Sequence, residues 1–231
     1  MKEILQLQDR LDFLNKQDAC RDSFMEYIRY IWPGFIEGEH HRVISKRLTA
    51  VAKGELKRLI INMPPRHTKS EFASIYFPSW MMGLQPDLKI MQTTHTADLS
   101  INFGRKVRNL MDTEEYAKIF PDVNLAADSK SAGKWQTSTG GEYFAAGVGG
   151  AIAGRGADLL IIDDPHSEQD AMSMNLLDSC YEWYTSGPRQ RLQPGGSIVI
   201  VMTRWSTMDL TGRLLDRQTE MNSDQWEVIE L

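Results

Sequence analysis

The sequence predicts a doubly wound α/β domain, a mainly parallel sheet with helices on both faces. Three observations predict it. Five short apolar runs recur along the chain, most of them near-continuous and β-branched, as buried parallel strands are. Helix-like stretches separate the runs, which makes the connections βαβ crossovers. The composition is ordinary for a globular protein: 231 residues, 42% hydrophobic and 25% charged, enough chain to bury a real core.

Residues 1 to about 30 read as helical from apolar positions at helical spacings, until Pro33 and Gly34 break the pattern. A second helix is expected over Glu39–Ala52, with Val43, Ile44, Leu48 and Val51 on one face and Gly54 ending it. The first strand is Leu59–Met63 and its helix Lys69–Met82. The second strand, Leu88–Met91, is followed by a helix over Ala97–Met111. Lys134–Gly150 has the glycines and aromatics of turns and an edge, and reads as an inserted hairpin. The third strand, Asp158–Ile162, leads to a helix over Ala171–Thr185. The fourth, Ser197–Met202, leads to Met208–Gln218, and Trp226–Ile229 is the fifth.

Composition and charge exclude several classes. A net charge of −5 argues against bulk coating of nucleic acid, so DNA contact would need a local patch. Arg105-Lys106-Arg108 and Arg189-Arg191 are candidates, although such clusters are more often a solvated helix face. Cys20 and Cys180 form no disulfide framework, and the histidines and cysteines lack zinc-ligand spacing. The N-terminus has no apolar signal core and no run is long enough to span a membrane. A soluble intracellular protein is expected.

The first strand runs into Pro64-Pro65-Arg66-His67-Thr68-Lys69-Ser70 and then a helix. Strand, tight loop, Lys-Ser and helix is an arrangement that grips a triphosphate. Backbone N–H groups face the anion, Lys69 reaches the β/γ-phosphates and the Ser70 hydroxyl ligates Mg²⁺. Glycine is usual where Met63 and Thr68 stand, and two prolines remove donors, so a surface turn that starts a helix fits this segment as well.

The third strand ends in Asp163-Asp164. In the phosphate-binding reading Asp163 holds the Mg²⁺ shell and Asp164 orients and deprotonates the attacking water. An acidic turn closed by Pro165 is the bland alternative. The fourth strand ends in Thr203-Arg204, where a polar residue would sense the γ-phosphate. Arg66 in the loop and Arg155 in Gly154-Arg155-Gly156 are both candidates to neutralise transition-state charge. His41, beside His40, is a candidate reader of an adenine edge. Each motif is weak alone, but open α/β sheets bind ligands at the carboxyl ends of their strands, where these converge.

Taken together, MPPRHTKS, GRGADLLIIDDP and IVIVMTRW, in that order and spacing, resemble the ATPase domain of large terminases of phages and herpesvirus-type viruses. The resemblance covers roughly residues 30 to 231. It implies a P-loop NTPase of the additional-strand type, with strand order 5-1-4-3-2. It also implies an Mg²⁺-dependent ATPase that drives double-stranded viral DNA into a procapsid. By position, Arg66, His67, Thr68, Lys69, Ser70, Glu71 and His41 would contact ATP, and Ser70 and Asp163 would hold the metal. Asp164, Arg66 and Thr203 would be catalytic, with Arg155 completing the active site of a neighbouring subunit. Asp164 stands where many family members carry Glu, so Glu168 is a candidate helper.

The implied partners are the portal protein, the small terminase subunit and further copies in a ring, with the isolated domain monomeric. The implied setting is the host cytoplasm, outside the mature virion. Residues 1–231 are read as one ATPase domain, a helical lead-in over 1–53 and a core over 54–231. The nuclease domain such terminases usually carry is not expected, nor DNA cleavage. Three other readings compete: a helicase-like DNA translocase, a small-molecule kinase, and a nucleotide-binding or capsid-docking module that does not hydrolyse.

Overall fold

A computed structural model of the chain describes residues 1–129, 131–152, 154–221 and 223–231, with Lys2 described in its backbone only. It is a mixed α/β fold built on one seven-stranded sheet, mostly parallel and flanked by helices.

The expected N-terminal helix is two, α1 (Lys2–Asp22) and α2 (Phe24–Ile31). Ser23 breaks it. Its backbone is extended, and its side chain accepts from the Glu26 N–H and so starts α2. The first three turns of α1 are exposed, and the helix joins the body near its end. There Gln17 Nε2 donates to the Lys118 carbonyl at 2.7 Å and Arg21 donates to that of Ile119. The third helix, α3 (Glu39–Ala52), matches its expected span.

β1 (Arg58–Asn62) leads through a loop into α4 (Lys69–Glu71), a π turn over Phe72–Tyr76, and α5 (Phe77–Leu84). The sequence pattern predicts one helix over this stretch. Phe72, Phe77 and Trp80 pack around Phe24 with ring centroids 5.3–5.7 Å apart. Each such buried aromatic contributes roughly 1.5–3 kcal/mol of burial free energy. β2 (Lys89–Thr94) is followed by α6 (Ala97–Met111) and a short α7 (Glu114–Ile119) that the sequence reading does not include.

β3 (Lys134–Gln136) and β4 (Glu142–Gly147) form the inserted hairpin. Gly140, at φ +94°, makes its turn, and Trp135 stacks on Tyr143 at 4.9 Å. The remaining elements are β5 (Ala157–Asp163), α8 (Met174–Ser186), β6 (Leu192–Met202), α9 (Leu210–Arg217) and β7 (Glu227–Glu230).

The sheet order is β3-β4-β2-β5-β6-β1-β7, which differs from the expected five-strand order. The difference is the hairpin. β4 pairs in parallel with β2 and carries β3 antiparallel on its outer side, so the insertion extends the sheet. β6 lies between β1 and β5, pairing in parallel with both, so the carboxyl ends of these three strands are adjacent.

Candidate active site

The carboxyl ends of β1, β5 and β6 bring together most of the residues singled out in the sequence. Lys69, at the start of α4, is 5% exposed, a rare state for an ammonium without partners. Its Nζ lies 2.9 Å from Asp164 Oδ2 and donates to Thr203 Oγ1 at 3.0 Å. Asp164 Oδ1 accepts the Thr203 N–H at 2.8 Å, and the Thr203 hydroxyl contacts the Met63 carbonyl at 3.4 Å. Lysine, acid and Thr203 form one closed unit.

Asp163 is buried beside them. Ser70 Oγ donates to its Oδ1 at 3.0 Å and Ser74 Oγ to its Oδ2 at 2.6 Å. Burial, and then the charge of Asp164, push the Asp163 carboxyl up to about 7; the two hydroxyls and Lys69 act in the opposite sense. A carboxylate so disfavoured is poised to gain from a cation. Two hydroxyls and one or two carboxylates are hard oxygen donors that fit Mg²⁺, which keeps several of its own waters.

The loop itself is strained. Among the described residues only Arg66, Thr68 and Asp164 have positive φ without being glycine, at 66°, 63° and 41°. Such outliers cost about 1–3 kcal/mol each and persist where the surroundings enforce them. The N–H groups of Thr68, Lys69, Ser70 and Glu71 make no hydrogen bond within the described chain. They are the unfilled donors of a helix start, the kind of group that takes an anion. Arg66 is exposed and makes no ion pair with the described residues. Glu71 is half-buried and unpaired among them, and Glu168 is exposed on the loop after β5. His67 Nδ1 lies 2.8 Å from the Pro65 carbonyl.

Two candidates are engaged by other partners. Arg155 is not at this end of the sheet. It precedes β5, at the strands' amino ends, with the length of that strand, roughly 20 Å at about 3.3 Å per residue, between it and Asp163. Its guanidinium is held by Glu142 at 2.9 Å and lies 3.9 Å above the Phe144 ring. An acid and an aromatic ring from β4 have captured it, so it does not project freely from the glycines that flank it. His41 is near the loop, and both its ring nitrogens are hydrogen-bonded within the chain. Of the basic clusters, Arg189 is engaged by Asp224 at 2.6 Å.

The structure adds residues that the sequence reading passed over. Ser74 stands four residues after Ser70, one helical turn on, a spacing that could have flagged it. Asp209, fully buried, caps α9 and accepts from Arg204 Nε, Trp205 N, Ser206 N and Gly212 N. His166 Nε2 accepts the Leu210 N–H at 3.0 Å. The loops that follow β5 and β6 are thereby tied to one helix start. Only the tertiary fold reveals these links.

This arrangement defines a class: a mostly parallel α/β domain with a buried lysine, two acids and free helix-start donors at its strands' carboxyl ends. Within that class a solved structure is similar. The crystal structure of the HK97 bacteriophage large terminase aligns with TM-score 0.54 at 11% identity, covering 84% of this chain and 39% of that one. The likeness is one of fold. No protein-family model and no curated protein matches the chain. Among the described residues, no helix is long and apolar enough to cross a membrane.

Proposed function

We propose that this chain is the Mg²⁺-dependent ATPase motor portion of a viral DNA-packaging terminase. One observation carries the proposal. Four unpaired backbone donors at Thr68–Glu71 stand with buried Lys69 against Asp163 and Asp164, in a fold similar to a phage large terminase. The Pro64–Ser70 segment then serves as the phosphate loop (Walker A), and Asp163-Asp164 as the acidic motif (Walker B).

Ser70 and Asp163 would hold Mg²⁺, which neutralises phosphate charge when bound. Lys69 exchanges Asp164 for a phosphate oxygen on nucleotide binding. That exchange frees Asp164 Oδ2 to accept the attacking water's proton, while the Thr203 N–H keeps Oδ1 in place. Thr203, bonded to both Lys69 and Asp164, registers the change and passes it to the β6 loop. Exposed and unpaired, Arg66 is the better placed cation to offset transition-state charge. Arg155 would serve only a neighbouring copy, after leaving Glu142. Double-stranded viral DNA, the portal protein, the small subunit and further copies of the chain in a ring are the partners this reading carries, in the host cytoplasm.

Phosphate release from ATP tests the proposal. The chain should release phosphate only with Mg²⁺, and Lys69→Ala should lose tight ATP binding because the charge-assisted bonds to the phosphates disappear. Release that survives chelation, or that is unchanged in Lys69→Ala, would sink it.

A further inference from the structure

Glycine is the ordinary occupant of a left-handed position such as that of Thr68, because an L side chain there costs roughly 1–2 kcal/mol. Something must hold this residue at φ 63°. His41, in the first turn of α3, contacts it. The His41 Nδ1 accepts the Gly38 N–H at 2.9 Å, so in the neutral ring the proton is on Nε2. That Nε2 lies 2.6 Å from Thr68 Oγ1, which donates its own proton to the His67 carbonyl at 2.5 Å. Every partner in the chain has one role, from the Gly38 amide through the imidazole and hydroxyl to the loop carbonyl.

The ring itself is fixed. It is 5% exposed, stacked on Phe72 at 4.9 Å and edge-on to Phe35 at 4.8 Å. Phe72 follows directly on α4, so the same side chain anchors both the imidazole and the helix whose N–H groups stand open. Burial, and then the neighbouring His40, lower the His41 pKa to about 4, which keeps it neutral at ordinary pH. A protonated ring would lose the Gly38 acceptor. The Glu37 charge acts in the opposite sense, and the His67 ring lies 6.2 Å from that of His40.

We infer that His41 is a positioning residue, a neutral brace that fixes the non-glycine phosphate loop through Thr68 in the conformation that presents its free N–H groups. The inference rests on the phosphate-loop reading for its purpose and on the loop geometry for its substance, so two measurements separate them. Hydrogen exchange of the loop-end Phe72 amide, which donates to the Thr68 carbonyl, reads the brace alone without nucleotide. Titration with ATP and Mg²⁺ reads what the brace is for.

In His41→Ala the Phe72 amide, which donates to the Thr68 carbonyl, should exchange about tenfold faster, the weight of one buried hydrogen bond, and ATP affinity should fall by a similar factor. Thr68→Gly removes the hydroxyl and the strain together. His41→Ala added to it should therefore cost less than about twofold in affinity. The melting temperature of each variant guards against general unfolding, and the milder Thr68→Ala breaks the same bond without opening the Phe35–Phe72 slot. Unchanged Phe72 amide exchange in both His41→Ala and Thr68→Ala overturns the brace. An affinity loss from His41→Ala that is equal with and without Thr68→Gly also overturns it, because the effect would not pass through Thr68. If the unaltered chain binds no ATP, the phosphate-loop reading fails, and Phe72 amide exchange alone decides whether His41 holds Thr68.

Discussion

The two ends of the sheet handle charge in opposite ways. At the amino ends, Arg155 is matched to Glu142 and Phe144, and Asp224 takes both Arg58 and Arg189. These pairs are partly open to solvent and need nothing further. At the carboxyl ends, the one lysine pairs with Asp164, the adjacent Asp163 has no cation within bonding range among the described residues, and three residues are held in left-handed backbone. Four N–H groups stand open beside them. An arginine-acid pair that is complete is architecture. An acid pair left short of positive charge, on strained backbone, is what the proposed ligand site would require.

Substituting across that contrast breaks or sharpens it. The largest effect is expected from Asp164→Asn. The amide keeps the size but accepts no proton, so turnover should fall by about 10²–10⁴ while ATP still binds. Single-turnover kinetics with a parallel binding titration measures the split. Normal turnover would move the base elsewhere, with Glu168 first in line.

A pH series distinguishes Asp163. Its folded pKa of about 7 lies above the ordinary carboxyl value of 3.8. From about pH 4 to 7 the folded chain keeps a proton that the unfolded chain has lost, so this group's contribution to stability falls as pH rises through that window. Above about 7 the penalty is complete. Without Mg²⁺, the melting temperature of Asp163→Asn should therefore gain on the unaltered chain from pH 5 to 7 and then run parallel. A constant difference would show that Asp163 is not so perturbed.

The smallest effect belongs to Arg155→Ala. Its pair is partly exposed, so about 1 kcal/mol or less of stability should be lost, read from denaturant midpoints. ATP turnover by dilute monomer should stay within about twofold. A hundredfold loss there would mean the contrast between the ends is false. A loss confined to assembled copies would assign Arg155 to a neighbour's site.

Much of this is legible in the sequence, for physical reasons. Strands buried on both faces must be apolar throughout, so Leu59–Asn62, Leu159–Ile162 and Ile198–Met202 announce themselves. Asp163-Asp164 and Thr203 stand at the ends of such strands and Lys69-Ser70 follows one after a short loop, and parallel topology brings them to one edge. Side chains whose partners come from distant elements are not legible. Nothing near Arg155 indicates Glu142, and nothing near His41 indicates Thr68. The hairpin's pairing with β2 is likewise a tertiary choice. The break at Ser23 does leave a local trace, since Ser23 and Glu26 carry the spacing of a helix start.

The π turn over Phe72–Tyr76 carries one consequence beyond the site. It inserts extra length into a helix and so resets its phase. On one side, Ser70 and Ser74 address Asp163; on the other, Phe77 and Trp80 address Phe24, and the Trp80 indole donates to the Cys20 carbonyl. A continuous α-helix would lock those two faces at a fixed angle. The wider turn sets a different angle, one at which the hydroxyls reach the buried acid while the aromatic rings pack on the N-terminal helices.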